Sequence, residues 1–240
     1  MNGERLLRGA SLVFASLYEF LFTPVCCHCQ APLEYGERFL CVSCRGTLLP
    51  VDPEDSLYQG VRDRLTGDGD CDGLISLYRF EKGSPIQSLI HELKYGGRMG
   101  VGLFLGERLG EAVGSLPGAG DFGGCVPVPL HRVRKRERGY NQSALLCRGL
   151  SEAAGIPACP SILKRVRPTP SQTALGIEER ATNVEGAFAL RNGAHKKIAG
   201  GSFLLVDDVL TTGATMRACA RILKRGGAKR VVACSVSPAA

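Results

Sequence analysis

Two adjacent carboxylates, Asp207 and Asp208, follow the apolar run Phe203-Leu204-Leu205-Val206 and precede Val209-Leu210-Thr211-Thr212-Gly213-Ala214-Thr215. Four consecutive apolar residues suit a strand buried on both faces of a parallel sheet. The acids then stand at its carboxyl end, where open α/β sheets bind ligands. The turn at residues 211–215 leads into a helix. Its backbone N–H groups, its threonine hydroxyls and the helix N-terminus together make a phosphate cradle. Gly213 lets the backbone approach a ligand where a Cβ would intrude. The acid pair suits sugar hydroxyls and a Mg²⁺ ion held through water. No G-x-x-x-x-G-K-[ST] sequence occurs, so the cradle is not that of a P-loop NTPase.

A second group of chemistry-bearing residues lies near the start. Cys26, Cys29, Cys41 and Cys44 form two C-x-x-C pairs separated by eleven residues. This is the spacing of a zinc ribbon, in which four thiolates close a tetrahedron around Zn²⁺. Four protein ligands leave no open position, so the metal is expected to be structural. Cys27 and His28 are spare candidates for the same shell. From residue 26 to 55 two basic residues face five acidic ones, which makes the ribbon a poor reader of phosphate backbones.

Cations gather elsewhere. Arg132, Arg134, Lys135, Arg136 and Arg138 fall within eight residues, offset only by Glu137, after the proline-stiffened run Val126-Pro127-Val128-Pro129. If that strand neighbours the one ending in Asp207, the run lies where a pyrophosphate would sit and would neutralise its charge. A nucleic-acid contact and a simple solvated loop are the other readings. Lys94 precedes a Gly96-Gly97 turn after a helical stretch. Residues 164–183 carry Pro168 and Pro170 among polar residues, as a loop that closes over a substrate would. Arg165 and Arg180 are its charged candidates for the closed state, or partners of Glu178 and Glu179.

The elements that must position these groups follow from periodicity. Strands are expected at 74–80, 124–130, 200–208 and 230–236, with helices at 85–94, 101–113, 141–154 and 215–225. The alternation predicts an α/β fold, a parallel sheet flanked by helices on both faces. Residues 6–22 read as an amphipathic helix. Their longest uncharged stretch is far short of a membrane span, and no cleavage site follows, so a cytoplasmic, thiol-reducing compartment is expected. The boundary between a small module (1–55) and the larger domain (56–240) falls in the acidic stretch 51–72, read as linker and turn. With 240 residues, 44% hydrophobic and 22% charged, the chain is globular rather than disordered or fibrous. Eleven cysteines are an odd number, against a fully paired disulfide scaffold. The net charge of +7 divides unevenly, because all of the excess lies beyond residue 75. It points to phosphorylated metabolites, nucleic acid or a membrane surface as partners.

The segment from Phe203 to Thr215 resembles the phosphoribosyl pyrophosphate (PRPP) motif of type I phosphoribosyltransferases. Together with the double C-x-x-C, the Lys94 turn, and the Arg132–Gln142 and Arg165–Phe188 segments, it resembles the ComF family of competence proteins over nearly the whole chain. That resemblance implies a type I phosphoribosyltransferase-like domain preceded by a small zinc-binding module with four cysteine ligands. It implies that Asp207 and Asp208 contact the ribose hydroxyls and that residues 211–215 wrap the 5′-phosphate. Lys94, Arg136 and Arg138 are then expected on the pyrophosphate, Mg²⁺ as the ion bound with PRPP, and Arg165 and Arg180 in the closing loop. Two functions follow: Mg²⁺-dependent phosphoribosyl transfer linked to DNA uptake, or a non-catalytic factor binding single-stranded DNA and competence proteins on the same fold.

Overall fold

The computed structural model describes residues 24–167 and 186–239. The elements, in chain order, are α1 (Val42–Gly46), α2 (Ser56–Thr66), β1 (Gly73–Ser76), α3 (Pro85–Lys94) and α4 (Met99–Gly114). Then come β2 (Phe122–Pro127), α5 (Arg132–Arg138), α6 (Gln142–Ala154), β3 (Leu163–Arg165) and β4 (Phe188–Leu190). The last are α7 (Ala194–Ile198), β5 (Ser202–Leu210), α8 (Ala214–Arg225) and β6 (Arg230–Pro238). The expected N-terminal helix at 6–22 lies outside the described residues, as do Arg180 and most of the proposed closing loop.

Four strands form one parallel sheet in the order β1-β6-β5-β2. The sequence dictates why β5 and β6 are central: Phe203 to Val206 and Val231 to Ser237 are buried without a break. Alternation then divides them between two cores. Leu204, Val206, Val232 and Cys234 face a core made with α3, α4 and α6, and Phe203, Leu205, Val231 and Ala233 face one made with α2, α8 and the β3–β4 hairpin. The first core continues into Cys26, Leu40 and Cys44, so the cysteine segment is seated on α3 and α4. Helices α4 and α6 cross closely because glycines meet backbone: a Cβ on Gly106 would strike the Leu146 carbonyl, and one on Gly149 the Leu103 carbonyl. This is the α/β sheet flanked by helices that the periodicity predicts.

Three segments differ from the sequence reading. The acidic stretch expected as linker contains α2, capped by Asp55, whose carboxylate accepts from the N–H groups of Leu57 and Tyr58. Its apolar stripe, Val61 and Leu65 fully buried with Leu57 and Tyr58 packed beside them, is short and set among acidic and turn-forming residues that mask it. The basic run expected as a loop is helix α5. Arginine, lysine and glutamate are good helix formers. His131 caps it by accepting from the Val133 N–H, and Gly139 ends it at φ +78°. The third is the antiparallel β3–β4 pair, whose strands of three residues are too short to show a pattern.

No helix among the described residues is long and apolar enough to cross a membrane.

Candidate functional site

The carboxyl end of β5 carries the acid pair into a tight turn. Asp207 Oδ1 accepts from Ser143 Oγ and from the Asp208 N–H, each at 2.9 Å. Asp208 Oδ1 accepts from the Val209 N–H at 2.7 Å, while its Oδ2 pairs with Lys94 Nζ at 3.2 Å. Lys94 is the last residue of α3, so a helix on one side of the sheet delivers a cation to an acid on the central strand. Burial raises the Asp207 carboxyl to about 7, and the neighbouring Asp208 charge adds to the rise. The hydrogen bonds and Lys94 oppose it without cancelling it.

Beyond the acids, residues 207 and 209–216 line a concave pocket. Thr212 Oγ1 accepts from the Ala214 N–H at 3.4 Å, closing the turn before α8. Gly213 is the N-cap of α8 at φ +73°, and a Cβ there would come within 2.9 Å of Leu65 Cδ2. The first N–H groups of α8 therefore open onto the pocket, the arrangement that receives a phosphate.

Arg165 lies on β3 with its guanidinium 5.3 Å above the Phe188 ring. Burial lowers its pKa, and it feels the charges of Arg134 and Asp207, which places β3, α5 and the acid pair in one electrostatic neighbourhood. Arg138 stands 5.2 Å over the ring of Tyr95, the residue after Lys94. Arg136 is exposed on α5 and is not brought to the acids by any contact among the described residues. Arg134 belongs to the basic run expected at the pyrophosphate, whereas Ser143 is a member the sequence did not assign to the site. The signal for Ser143 was a hydroxyl in the first turn of α6, which follows the strand beside β5.

The second site is the cysteine cluster. One sulfur from each of Cys26, Cys29, Cys41 and Cys44 lies within 4.8 Å of the others, and Cys29 and Cys41 sulfurs are 3.6 Å apart. Thiolates at about 2.3 Å from a tetrahedral Zn²⁺ stand roughly 3.8 Å from one another, so the set fits that ion. Burial raises the Cys26 thiol, but N–H donors of Cys41, Cys29 and His28 outweigh it and bring it down to about 6. Burial and the other three thiols push Cys44 up to about 12. The four cannot all ionise without a cation among them. The spare candidates turn away: Cys27 Sγ accepts from Arg98 Nη1 at 3.2 Å, and His28 Nδ1 lies 3.0 Å from Ser88 Oγ.

Those two contacts, the forked Arg38–Glu107 pair (2.8 and 3.2 Å) and the Phe39–Phe104 ring pair fasten the cluster to α3 and α4. Arg98 also pairs with Glu92 at 3.3 Å, two residues before Lys94. The cysteine segment thus braces the turn from which Lys94 reaches Asp208.

Residues 128–238 match the family model described as "Phosphoribosyl transferase domain". The chain is similar to "Competence protein F" of Haemophilus influenzae, at 28% identity across 86% of this chain and 93% of that protein. It is 34% identical to "DNA utilization protein YhgH" of Salmonella typhi across 61% of this chain and 64% of that one. It is 35% identical to "Competence protein ComFC" of Bacillus subtilis across 44% of this chain and 40% of that protein. A solved glutamine PRPP amidotransferase from B. subtilis, complexed with ADP and GMP, overlays on 60% of this chain and 30% of its own, at 20% identity and a TM-score of 0.38.

Proposed function

Since the chain carries a phosphoribosyl transferase domain and is homologous to the competence proteins F and ComFC and to YhgH, we propose that it binds PRPP at the end of β5 and transfers the phosphoribosyl group to an acceptor, in the service of DNA uptake. The observation that carries this reading is the acid pair at the carboxyl end of the central strand, held by Ser143 and Lys94, next to a glycine-capped phosphate cradle.

In this reading Asp207 and Asp208 bind the ribose hydroxyls, and Val209, Leu210, Thr211, Thr212, Gly213, Ala214 and Thr215 enclose the 5′-phosphate with N–H and hydroxyl donors. Lys94, already fixed beside the ribose by Asp208, lies on the pyrophosphate side with Arg136 and Arg138. The C1′–O bond to pyrophosphate breaks as the acceptor bonds C1′, and these cations stabilise the charge that develops on the leaving oxygen. Arg165 adds positive charge near Asp207, with Arg180 as the second arginine of the closing loop. The donor set also fits Mg²⁺, because Asp207 Oδ2 is an oxygen ligand with no hydrogen-bond partner among the described residues and Mg²⁺ prefers carboxylate and water. Magnesium bound with PRPP would supply neutralisation of the pyrophosphate. Cys26, Cys29, Cys41 and Cys44 would hold a structural Zn²⁺ that takes no part in the chemistry.

Calorimetry with PRPP and Mg²⁺ tests the site. Binding to the wild type and its loss in Asp207→Asn/Asp208→Asn are expected, and a wild type that binds no PRPP refutes the assignment. Pyrophosphate release over a panel of bases and amines then tests transfer.

A further inference from the structure

A second concavity lies at the opposite end of the sheet. It encloses about 420 Å³ and is lined by Ser161, Lys164, Arg191, Asn192, Ala194 and Lys197. That volume falls within the range of small-molecule sites, roughly 300–1,000 Å³. The lining holds three cations and two neutral hydrogen-bonding side chains, and no acid. Among the described residues none of the three cations pairs with a carboxylate. Three cations facing one cavity without counter-charge repel one another, and an anion relieves that cost.

The geometry of Arg191 is set by its surroundings. Its backbone N–H donates to the Ile162 carbonyl at 2.9 Å, and its Nε donates to the Leu163 carbonyl at 3.3 Å. The stem and Nε are thereby anchored to the segment opposite, which leaves the two terminal nitrogens as a fork, the shape that meets two phosphate oxygens at once. Lys164 comes from β3 and Lys197 from α7, so point charges approach from two further elements.

This cavity is separate from the cradle. Helix α7 leads through Ala199, Gly200 and Gly201 into β5 at Ser202, and Asp207 stands five steps of extended strand, about 16 Å, beyond Ser202. Lys197 and Arg191 belong to the amino end, whereas the cradle is built at the carboxyl end.

We propose that Lys164, Arg191 and Lys197, with Ser161 and Asn192, form a second anion site that takes a diphosphate group, either free pyrophosphate or the diphosphate of a nucleotide. A fork and two separate ammonium groups suit adjacent phosphates better than one, and the cavity is larger than a lone phosphate fills.

Calorimetry on the full chain at low salt, without Mg²⁺, tests this with pyrophosphate, ADP, AMP and inorganic phosphate. Pyrophosphate should bind the wild type at least tenfold more tightly than phosphate. Equal affinity for ADP assigns the site to nucleotides, and binding of pyrophosphate alone assigns it to the free anion. Lys197→Glu, an exposed change that should leave the thermal melt unaltered, should weaken binding tenfold or more, and Lys164→Gln should do so by a smaller factor. Arg148→Ala, an exposed cation of α6 that belongs to neither site, should leave it within twofold. The proposal fails if Lys197→Glu binds as the wild type does, if Arg148→Ala weakens binding as much as Lys197→Glu, or if phosphate and pyrophosphate bind alike.

Discussion

The cysteine cluster and the Asp207–Asp208 pair both crowd groups that bear the same charge, and they resolve the crowding differently. The acid pair has its own relief in the chain: a lysine at 3.2 Å, a serine hydroxyl and two backbone N–H donors. What remains is one raised carboxyl at about 7. The cysteines have N–H donors around Cys26 but no cationic side chain within the set, because Arg98 reaches Cys27 instead. One region therefore balances its charges with its own side chains, while the other is a set of thiols that a cation would complete. Binding sites tolerate residual strain of this kind; small structural modules do not.

The largest effect expected from that contrast is at the cysteines. Cys41→Ser/Cys44→Ser, or exhaustive chelation, should lower the melting temperature by about 10 °C or more, since the segment from Cys26 to Cys44 shares a core with α3 and α4. Scanning calorimetry with and without added Zn²⁺ reads this directly, and an unchanged melt would remove the distinction between the regions.

Gly213→Val comes next. The positive φ and the approach to Leu65 should cost about 2–4 kcal/mol of stability and abolish PRPP affinity. Denaturant unfolding together with PRPP titration separates the two losses.

Asp207→Asn should act in the opposite direction on stability. The carboxyl titrates near 3.8 in an unfolded chain and at about 7 in the folded one. The folded state therefore keeps a proton that the unfolded state has lost between those values. Its contribution is favourable below pH 4, declines as pH rises toward 7, and is fully lost above. The asparagine retains an oxygen for Ser143 and the Asp208 N–H but has no proton to lose. It should be more stable than wild type at pH 8, by about 1–3 kcal/mol, and similar to it near pH 4. Urea unfolding at the two pH values checks the sign.

The smallest effect tests the brace between the regions. Arg98→Ala removes the links to Cys27 and Glu92 near Lys94, and a loss of PRPP affinity of about threefold with an almost unchanged melt is expected. Equal affinity would mean that Lys94 is held by Asp208 alone.

Much of this contrast is legible in the chain. Four apolar residues before two acids mark a buried strand with its chemistry at the carboxyl end, and paired C-x-x-C spacings mark a compact thiol cluster. Periodicity locates the long helices because α3, α6 and α8 each bury a full stripe. It fails where few residues are buried. Only Val61 and Leu65 of α2 are fully buried, with Leu57 and Tyr58 partly so, α5 buries none of its residues, and the strands β3 and β4 are three residues long each. The contribution of Ser143 was only weakly marked, by a hydroxyl in the first turn of α6, because its hydrogen bond to a residue 64 positions away depends on the crossing of α6 over β5, which no local pattern encodes.

The central claim is that the end of β5 is a PRPP site, and backbone amide NMR of the labelled protein tests it most directly. Titration with PRPP and Mg²⁺ should shift the amides of Thr211, Thr212, Gly213, Ala214 and Thr215 and leave those of Cys41 to Cys44 in place. Saturating PRPP that moves no amide in that turn would contradict the account.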